Sequence, residues 1–282
     1  MKLEEKRMTV QRSFLKWVGG KSRILDQLLP HLPVSDTLRL VEPFVGAGNV
    51  FINTNYKNYL LSDKNSDLIN VYVWLKNDLA RMINATKKLF DNGVDFYQIR
   101  TQFNCQLFPP SSLERAAAFV YLNRHCFNGI CRYNQRGEFN VPSGKYKRVY
   151  FPQDELIAFS NKLISVPTDV VVADFTTIIK SAGFGDVIYC DPPYISGTKN
   201  DIFTGYTAHK FNYPVTKLLH DLLVHAVQRG ASAIVSNSDN PVVRGIFSEF
   251  EIYEIDAPRS VAANGNRRSA HEIIAVLTAD MV

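Results

Sequence analysis

The chain has 282 residues, 46% of them hydrophobic and 21% charged, with a net charge of +5. That length suits one large α/β domain or a domain carrying an insert, and the composition is that of an ordinary globular protein, not a disordered or fibrous one. No apolar run approaches the roughly 18 residues of a membrane span, Met1 to Gln11 lacks an apolar signal core, and the four cysteines show neither a Cys-x-x-Cys pair nor zinc-finger spacing to histidine, so a cytoplasmic protein with reduced thiols and no metal is expected.

Phe14-Leu15-Lys16-Trp17-Val18-Gly19-Gly20-Lys21 is the first distinctive stretch. Gly19-Gly20 permits tight backbone near a turn or a ligand. Ser22 suits the N-cap of a helix running to about Leu29, stopped by Pro30 and Pro33. Lys21 then stands at a helix start, where carboxylates and phosphates gather, or is a solvated lysine after a glycine turn.

Leu38 to Val41 reads as a strand, followed by the loop Glu42-Pro43-Phe44-Val45-Gly46-Ala47-Gly48 and a helix from about Asn49. A glycine loop at a first βα turn brings backbone N–H groups close to a ligand. The dinucleotide fingerprint is incomplete, because Phe51 stands at the third glycine position. That argues against a dehydrogenase and leaves another nucleoside-like ligand open. Tyr59 to Asp63 is a second strand ending in an acid. Asp63 lies about twenty residues past Glu42, where a carboxylate takes ribose hydroxyls, or it caps the helix from Ser66 to Lys76.

Asp78 to Phe90 and Leu113 to Leu122 have helical apolar spacing. Asn123 to Arg148 then mixes Arg124, Arg132, Arg136, Lys145, Lys147 and Arg148 with amides and aromatic rings. Arg136-Gly137 resembles a hairpin tip between Tyr133 and Phe139 to Val141. Such residue types neutralise phosphates, read base edges and wedge into a base stack, although a solvated basic loop has the same composition. His125-Cys126 reads as a packed pair rather than a metal or thiol site.

Pro152 to Leu163 is an amphipathic helix, and Asp169 to Ala173 a strand with Asp174-Phe175 at its end, a wall for an adenine ring. The next strand is Val187-Ile188-Tyr189-Cys190, closed by Asp191-Pro192-Pro193-Tyr194. Proline has no N–H for the ladder, so the chain leaves the sheet at Asp191. The turn holds a carboxylate, fixed carbonyls and a ring, which suits a pocket for a flat molecule bearing an amino group or, equally, a rigid surface turn of the kind Pro-Pro pairs commonly make. Phe203 to Phe211 is an aromatic loop able to close over such a pocket. Val215 to Gln228 is a helix with Gly230 at its C-terminus, Ala233 to Val235 a buried strand, and Glu251 to Ile255 with His271 to Leu277 an antiparallel closing pair. The basic loop Arg259 to Arg268 lies between the last two and suits a polyanion.

Four blocks in this order, Phe14 to Lys21, Glu42 to Gly48, Asn123 to Pro142 and Asp191 to Tyr194, resemble the Dam-type DNA adenine-N6 methyltransferases. The likeness covers nearly all the chain after Ser13. It implies an α/β fold with a Rossmann-like methyltransferase sheet, mostly parallel with a closing antiparallel pair. It also implies an inserted, mainly helical target-recognition domain with a β-hairpin, so that residues 1–65 and 153–282 form the catalytic domain and 66–152 the insert. The ligand implied is S-adenosylmethionine, leaving as S-adenosylhomocysteine, on Trp17, Lys21, Asp63 and Asp191, with Glu42, Phe44, Gly46 and Gly48 of the glycine loop alongside.

The substrate implied is double-stranded DNA at GATC, with no obligate protein partner. Lys16, Phe127, Asn128, Ile130, Arg132, Asn140 and Pro142 fall on the DNA-contacting positions, with Lys145 as a phosphate clamp. Phe127 stands where the enterobacterial enzymes have tyrosine, which keeps the ring and drops the hydroxyl; Ile130 replaces leucine. The implied reaction turns the adenine out of the duplex and stacks it on Tyr194. Asp191 and the Pro192 carbonyl accept the hydrogens of N6 while its lone pair attacks in line. The thioether leaving group is neutral and calls for no metal.

Overall fold

A computed structural model describes residues 10–33, 38–195, 211–257 and 270–282. Among the described residues seven strands form one sheet: β1 (Arg39–Glu42), β2 (Asn58–Asp63), β3 (Thr168–Val172), β4 (Asp186–Cys190), β5 (Ser232–Ser238), β6 (Glu251–Ala257) and β7 (Ala270–Leu277). Their order is β3-β2-β1-β4-β5-β7-β6. β1 to β5 pair in parallel, and β7 inserts antiparallel between β5 and β6. This is the Rossmann-like methyltransferase sheet that the resemblance implies, closing pair included. The chain reverses its direction of travel across the sheet between β1 and β4. Their carboxyl ends therefore flank a crevice, the place where open α/β sheets bind ligands.

Both faces of the sheet are covered, which is why its strands read as unbroken apolar runs. Alternation sends Leu40, Leu61, Val187, Tyr189 and Ile234 to one core and Val41, Leu60, Ile188, Cys190 and Val235 to the other. Helices are α1 (Leu25–Leu28), α2 (Asn49–Ile52), α3 (Ser66–Asn77), α4 (Leu79–Asp91), α5 (Phe96–Asn104), α6 (Leu113–His125), α7 (Gln153–Ser165), α8 (Phe175–Lys180), α9 (Tyr213–Gln228) and α10 (Pro241–Ile246). The first core lies under α3, α6 and α7 and the second under α8, α9 and α10. α4 and α5 pack on α6, away from the sheet.

The helix expected from Ser22 to Leu29 is instead three short pieces. Lys21–Arg23 is a 3-10 turn with Gly20 at its N-cap, α1 is a single turn, and Leu29–His31 is a second 3-10 turn. Ser22 caps nothing, because Lys21 is already inside the first turn with its side chain buried. Pro30 opens the last turn rather than ending a helix, since the first N–H groups of a turn have no intrahelical partner to lose. Asp63 does not cap α3 either: Asn65 does, accepting from the N–H groups of Asp67 and Leu68. The expected hairpin is present in minimal form. Tyr133 and Phe139 make one antiparallel bridge, the Asn140 N–H donates to the Arg132 carbonyl at 3.1 Å, and Gly137 turns the tip at φ +75°.

Candidate functional site

A cavity of about 1180 Å³ opens at the carboxyl ends of the central strands. Four strands deliver one acid each: Glu42 from β1, Asp63 from β2, Asp174 just past β3 and Asp191 just past β4. Trp17 to Lys21 form another wall, and Phe44, Phe175 and Phe211 an aromatic one. Phe44 and Phe175 stack with centroids 5.3 Å apart, and Phe211 meets Phe44 edge-on. The structure thus brings Trp17, Lys21, Glu42, Phe44, Gly46, Asp63, Asp191, Pro192 and Tyr194 onto one surface. Gly48 is not on it. With φ +67° it turns the chain into α2, and an added Cβ would lie 2.6 Å from the Phe159 ring.

Gly46 is fixed between two groups. Its N–H donates to Asp63 Oδ2 at 3.2 Å, and an added Cβ would fall 2.9 Å from Trp17 Nε1. Asp63 Oδ1 accepts from the Asn65 N–H at 2.9 Å. Burial raises the Asp63 carboxyl while these N–H donors oppose the shift. Glu42 is fully enclosed, and among the described residues its Oε1 has no hydrogen-bond partner. Burial, with the charge of Asp191 adding to it, pushes that carboxyl up to about 8.

Asp191 leaves β4 at the two prolines with its carboxylate held from one side. Oδ1 accepts from Lys21 Nζ at 3.0 Å and from Ser236 Oγ at 3.0 Å, and Ser236 in turn bonds the Tyr189 hydroxyl at 3.0 Å. Lys21 Nζ also reaches Glu272 Oε2 at 3.3 Å and the Tyr194 hydroxyl, which itself donates to Glu272 Oε2 at 2.7 Å. Burial raises the Asp191 carboxyl, and Lys21 draws it back.

A second cluster adjoins the first through Lys16. The Asn123 side chain brackets that residue, accepting its N–H at 3.0 Å and donating to its carbonyl at 2.7 Å. Lys16 Nζ donates to the Arg124 carbonyl at 3.0 Å and lies 3.8 Å from the Tyr146 ring centroid. Burial and Arg124 lower its ammonium below the ordinary lysine range. Gly129 lies so close that an added Cβ would strike the Lys16 side chain. The Phe127 N–H donates to the Pro142 carbonyl at 2.9 Å, leaving the Phe127 ring 47% exposed. Asn128, exposed at φ +53°, and Ile130 follow on the same turn. Arg132 Nε donates to Asn140 Oδ1 at 2.8 Å, and Lys145 is exposed beyond Gly144. His125 stacks on Tyr121 at 3.9 Å, and burial pushes the Cys126 thiol up to about 11, so this pair is packing, as expected.

Residues 17–261 match the family described as D12 class N6 adenine-specific DNA methyltransferase. The chain belongs to that family. Among relatives, the DNA N-6-adenine-methyltransferase of Escherichia phage P1 is 42% identical over 273 residues, which are 95% of this chain but 35% of that protein. The DNA adenine methylase of Serratia marcescens is 40% identical over 280 residues, covering 95% of this chain and 99% of the relative. That of Escherichia coli K12 is 38% identical over 276 residues, covering 95% and 96%. The chain therefore spans about a third of the phage protein and nearly all of the bacterial ones.

The methyltransferase holds polar residues at its site that sequence reading missed. Ser236, at the carboxyl end of β5, was within reach of the rule that strand ends carry the site. Glu272 was not, because Lys21 and Glu272 are 251 positions apart. Among the described residues no group of three or more His, Cys, Asp or Glu is placed to hold a metal ion. No described helix is long and apolar enough to cross a membrane. The aromatic loop as far as residue 210 and the basic loop Arg259 to Arg268 lie outside the described residues.

Proposed function

We propose that this adenine-specific DNA methyltransferase modifies N6 of adenine within GATC in double-stranded DNA. The methyl donor is S-adenosylmethionine, and the target base is turned out of the helix first. The observation carrying this is the position of Asp191. It stands at the switch point of the sheet, one wall of a cavity large enough for a nucleoside, with Tyr194 three residues on. The residues present suit the donor. The enclosed Glu42 Oε1 has no hydrogen-bond partner among the described residues, and Gly46, where a Cβ would meet Trp17, leaves bare backbone on the cavity wall. Trp17, Lys21, Glu42, Phe44, Gly46, Asp63 and Asp191 would hold it, with Gly48 setting the loop.

Once bound, the donor would supply a methyl carbon activated by a sulfonium, whose sulfur would keep the bonding pair and leave as a neutral thioether. The chain's own part is to hold the acceptor. The N6 lone pair is delocalised into the purine ring, so the amine is a weak nucleophile. Asp191 and the Pro192 carbonyl accept its two hydrogens and favour a tetrahedral nitrogen. As the new N–C bond forms, the charge growing on N6 is stabilised by Asp191 and one N–H proton is shed toward that carboxylate. Tyr194 offers the stacking face, a contact of roughly 1–3 kcal/mol per base, which offsets part of the cost of flipping.

Residues 66–152 are proposed to read the sequence. Arg132 suits the bidentate pairing of arginine with guanine, steadied by Asn140. Lys16, Asn128, Ile130 and Pro142 would read neighbouring base edges, Phe127 would wedge into the gap, and Lys145 would clamp a phosphate. The enzyme would work in the cytoplasm, associated with the nucleoid through DNA binding, without an obligate protein partner. Labelled methyl transfer to a duplex containing GATC, set against the same duplex with GTTC, tests the assignment. Label on N6 of adenine in the first duplex alone is expected. Equal labelling of both removes GATC, and label on cytosine removes the mechanism.

A further inference from the structure

The proposed chemistry employs Lys21, Asp191 and Tyr194, whereas Glu272 has no task in it. Glu272 is the third residue of β7, paired with Ser238 of β5 and Ile255 of β6. Pairing runs through the backbone and needs no carboxylate. The residues after it, Ile273 to Leu277, are buried and apolar. The Glu272 side chain is only 15% exposed. A charge so enclosed is unfavourable unless it is paired.

Its partners, Lys21 and Tyr194, line the cavity, while Glu272 stands behind them. Glu272 Oε2 accepts from Lys21 Nζ at 3.3 Å and from the Tyr194 hydroxyl at 2.7 Å. The same ammonium stands 3.0 Å from Asp191 Oδ1. One cation is thus shared between two carboxylates, and one negative charge is left over. Without Glu272, Lys21 would settle wholly on Asp191 and neutralise it. With Glu272, the ammonium is drawn to one side and Asp191 keeps acceptor strength toward the cavity.

We propose that Glu272 is a positioning residue that leaves this floor of the cavity with a surplus negative charge, so that it prefers a sulfonium to the neutral thioether that remains after transfer. The inference rests on S-adenosylmethionine as the ligand. Tyr194, held by its hydroxyl on the same oxygen, is fixed as a platform by the device that sets the charge.

The test is calorimetric binding to the full chain, with no turnover involved. Dissociation constants are measured for S-adenosylmethionine and S-adenosylhomocysteine on the wild type, Glu272→Gln, Glu272→Asp and Tyr194→Phe. Glu272→Gln keeps size and a hydrogen-bond acceptor but removes the charge. It should lower the ratio of the thioether constant to the sulfonium constant by about fivefold, as expected for one unit charge acting through a partly screened site. Glu272→Asp and Tyr194→Phe keep the charge and should keep the ratio.

On the wild type alone, the analogue with a protonated amine in place of the sulfonium should bind more tightly than the thioether, which checks the claim without any variant. A ratio unmoved in Glu272→Gln, or a cationic analogue no tighter than the thioether, overturns this inference and leaves the donor assignment standing. A wild type that binds neither natural ligand overturns both.

Discussion

At Asp191 two features of the chain combine. The prolines end β4 and stop the backbone there, while Lys21 and Ser236 occupy only Oδ1 among the described residues. The second oxygen is the one available to an amine. Asp191→Ala should therefore reduce methyl transfer by at least about 10²–10³-fold, the range seen when one preorganised charge-stabilising group is removed. Duplex affinity should stay within about twofold, because the proposed base-reading residues are elsewhere. Single-turnover transfer and a gel-shift titration measure the two quantities, and near-normal turnover would take the role away from Asp191. Asp191 and Tyr194 were legible because local chemistry marks them. Asp63 was legible as a strand-end acid yet ambiguous in use, since a cap and a ligand contact demand the same residue type. Its bond to the Gly46 N–H depends on where β2 lies against β1, a tertiary fact that no local pattern carries.

Among the elements, α6 carries one end of the basic segment, and it is tied to the Lys16–Lys21 stretch by the buried Asn123 side chain. That amide satisfies both backbone groups of Lys16 at once. Asn123→Leu would leave a partly buried N–H and a partly buried carbonyl of Lys16 unpaired, at up to about 1–3 kcal/mol for each group. The expected result is a loss of stability on that order in urea unfolding, with weaker binding of both DNA and methyl donor. A change below about 0.5 kcal/mol would mean that water replaces the amide. Elements with a strong apolar period were legible: β4, β5, the β6–β7 pair, α4, α6 and α9. The segment 21–31 was not, because Lys21 is buried with Asp191 and Glu272, partners far along the chain that no local pattern announces. α5 went unread although Asp95 caps it and Phe96, Ile99 and Phe103 share a face. Its nine residues between loop signals give the periodicity little room.

Across the whole molecule, the sheet that brings four acids to one crevice also strips Glu42, Asp63 and Asp191 of most of their water, while Asp174 stays at the open edge. Glu42 is the extreme case, raised from 4.5 to about 8 with one oxygen unpaired. In the folded chain its carboxyl stays protonated over a range where the unfolded chain has already lost that proton. Below about pH 4.5 both states are protonated, so the contribution to stability is fully present. It is lost as the pH rises toward 8 and is constant beyond, since folding then releases no further mismatch. Glu42→Gln cannot ionise and should not show this loss. The stability of Glu42→Gln relative to wild type should climb between pH 5 and 8 by up to about 1.4 kcal/mol per pH unit, then level off. Urea unfolding at pH 4, 5, 6, 7 and 8 measures it, and parallel profiles for the two proteins would show that Glu42 is not held neutral. A residue that costs stability at neutral pH, in a cavity that β1 and β4 exist to frame, is one the fold keeps for the ligand and not for itself.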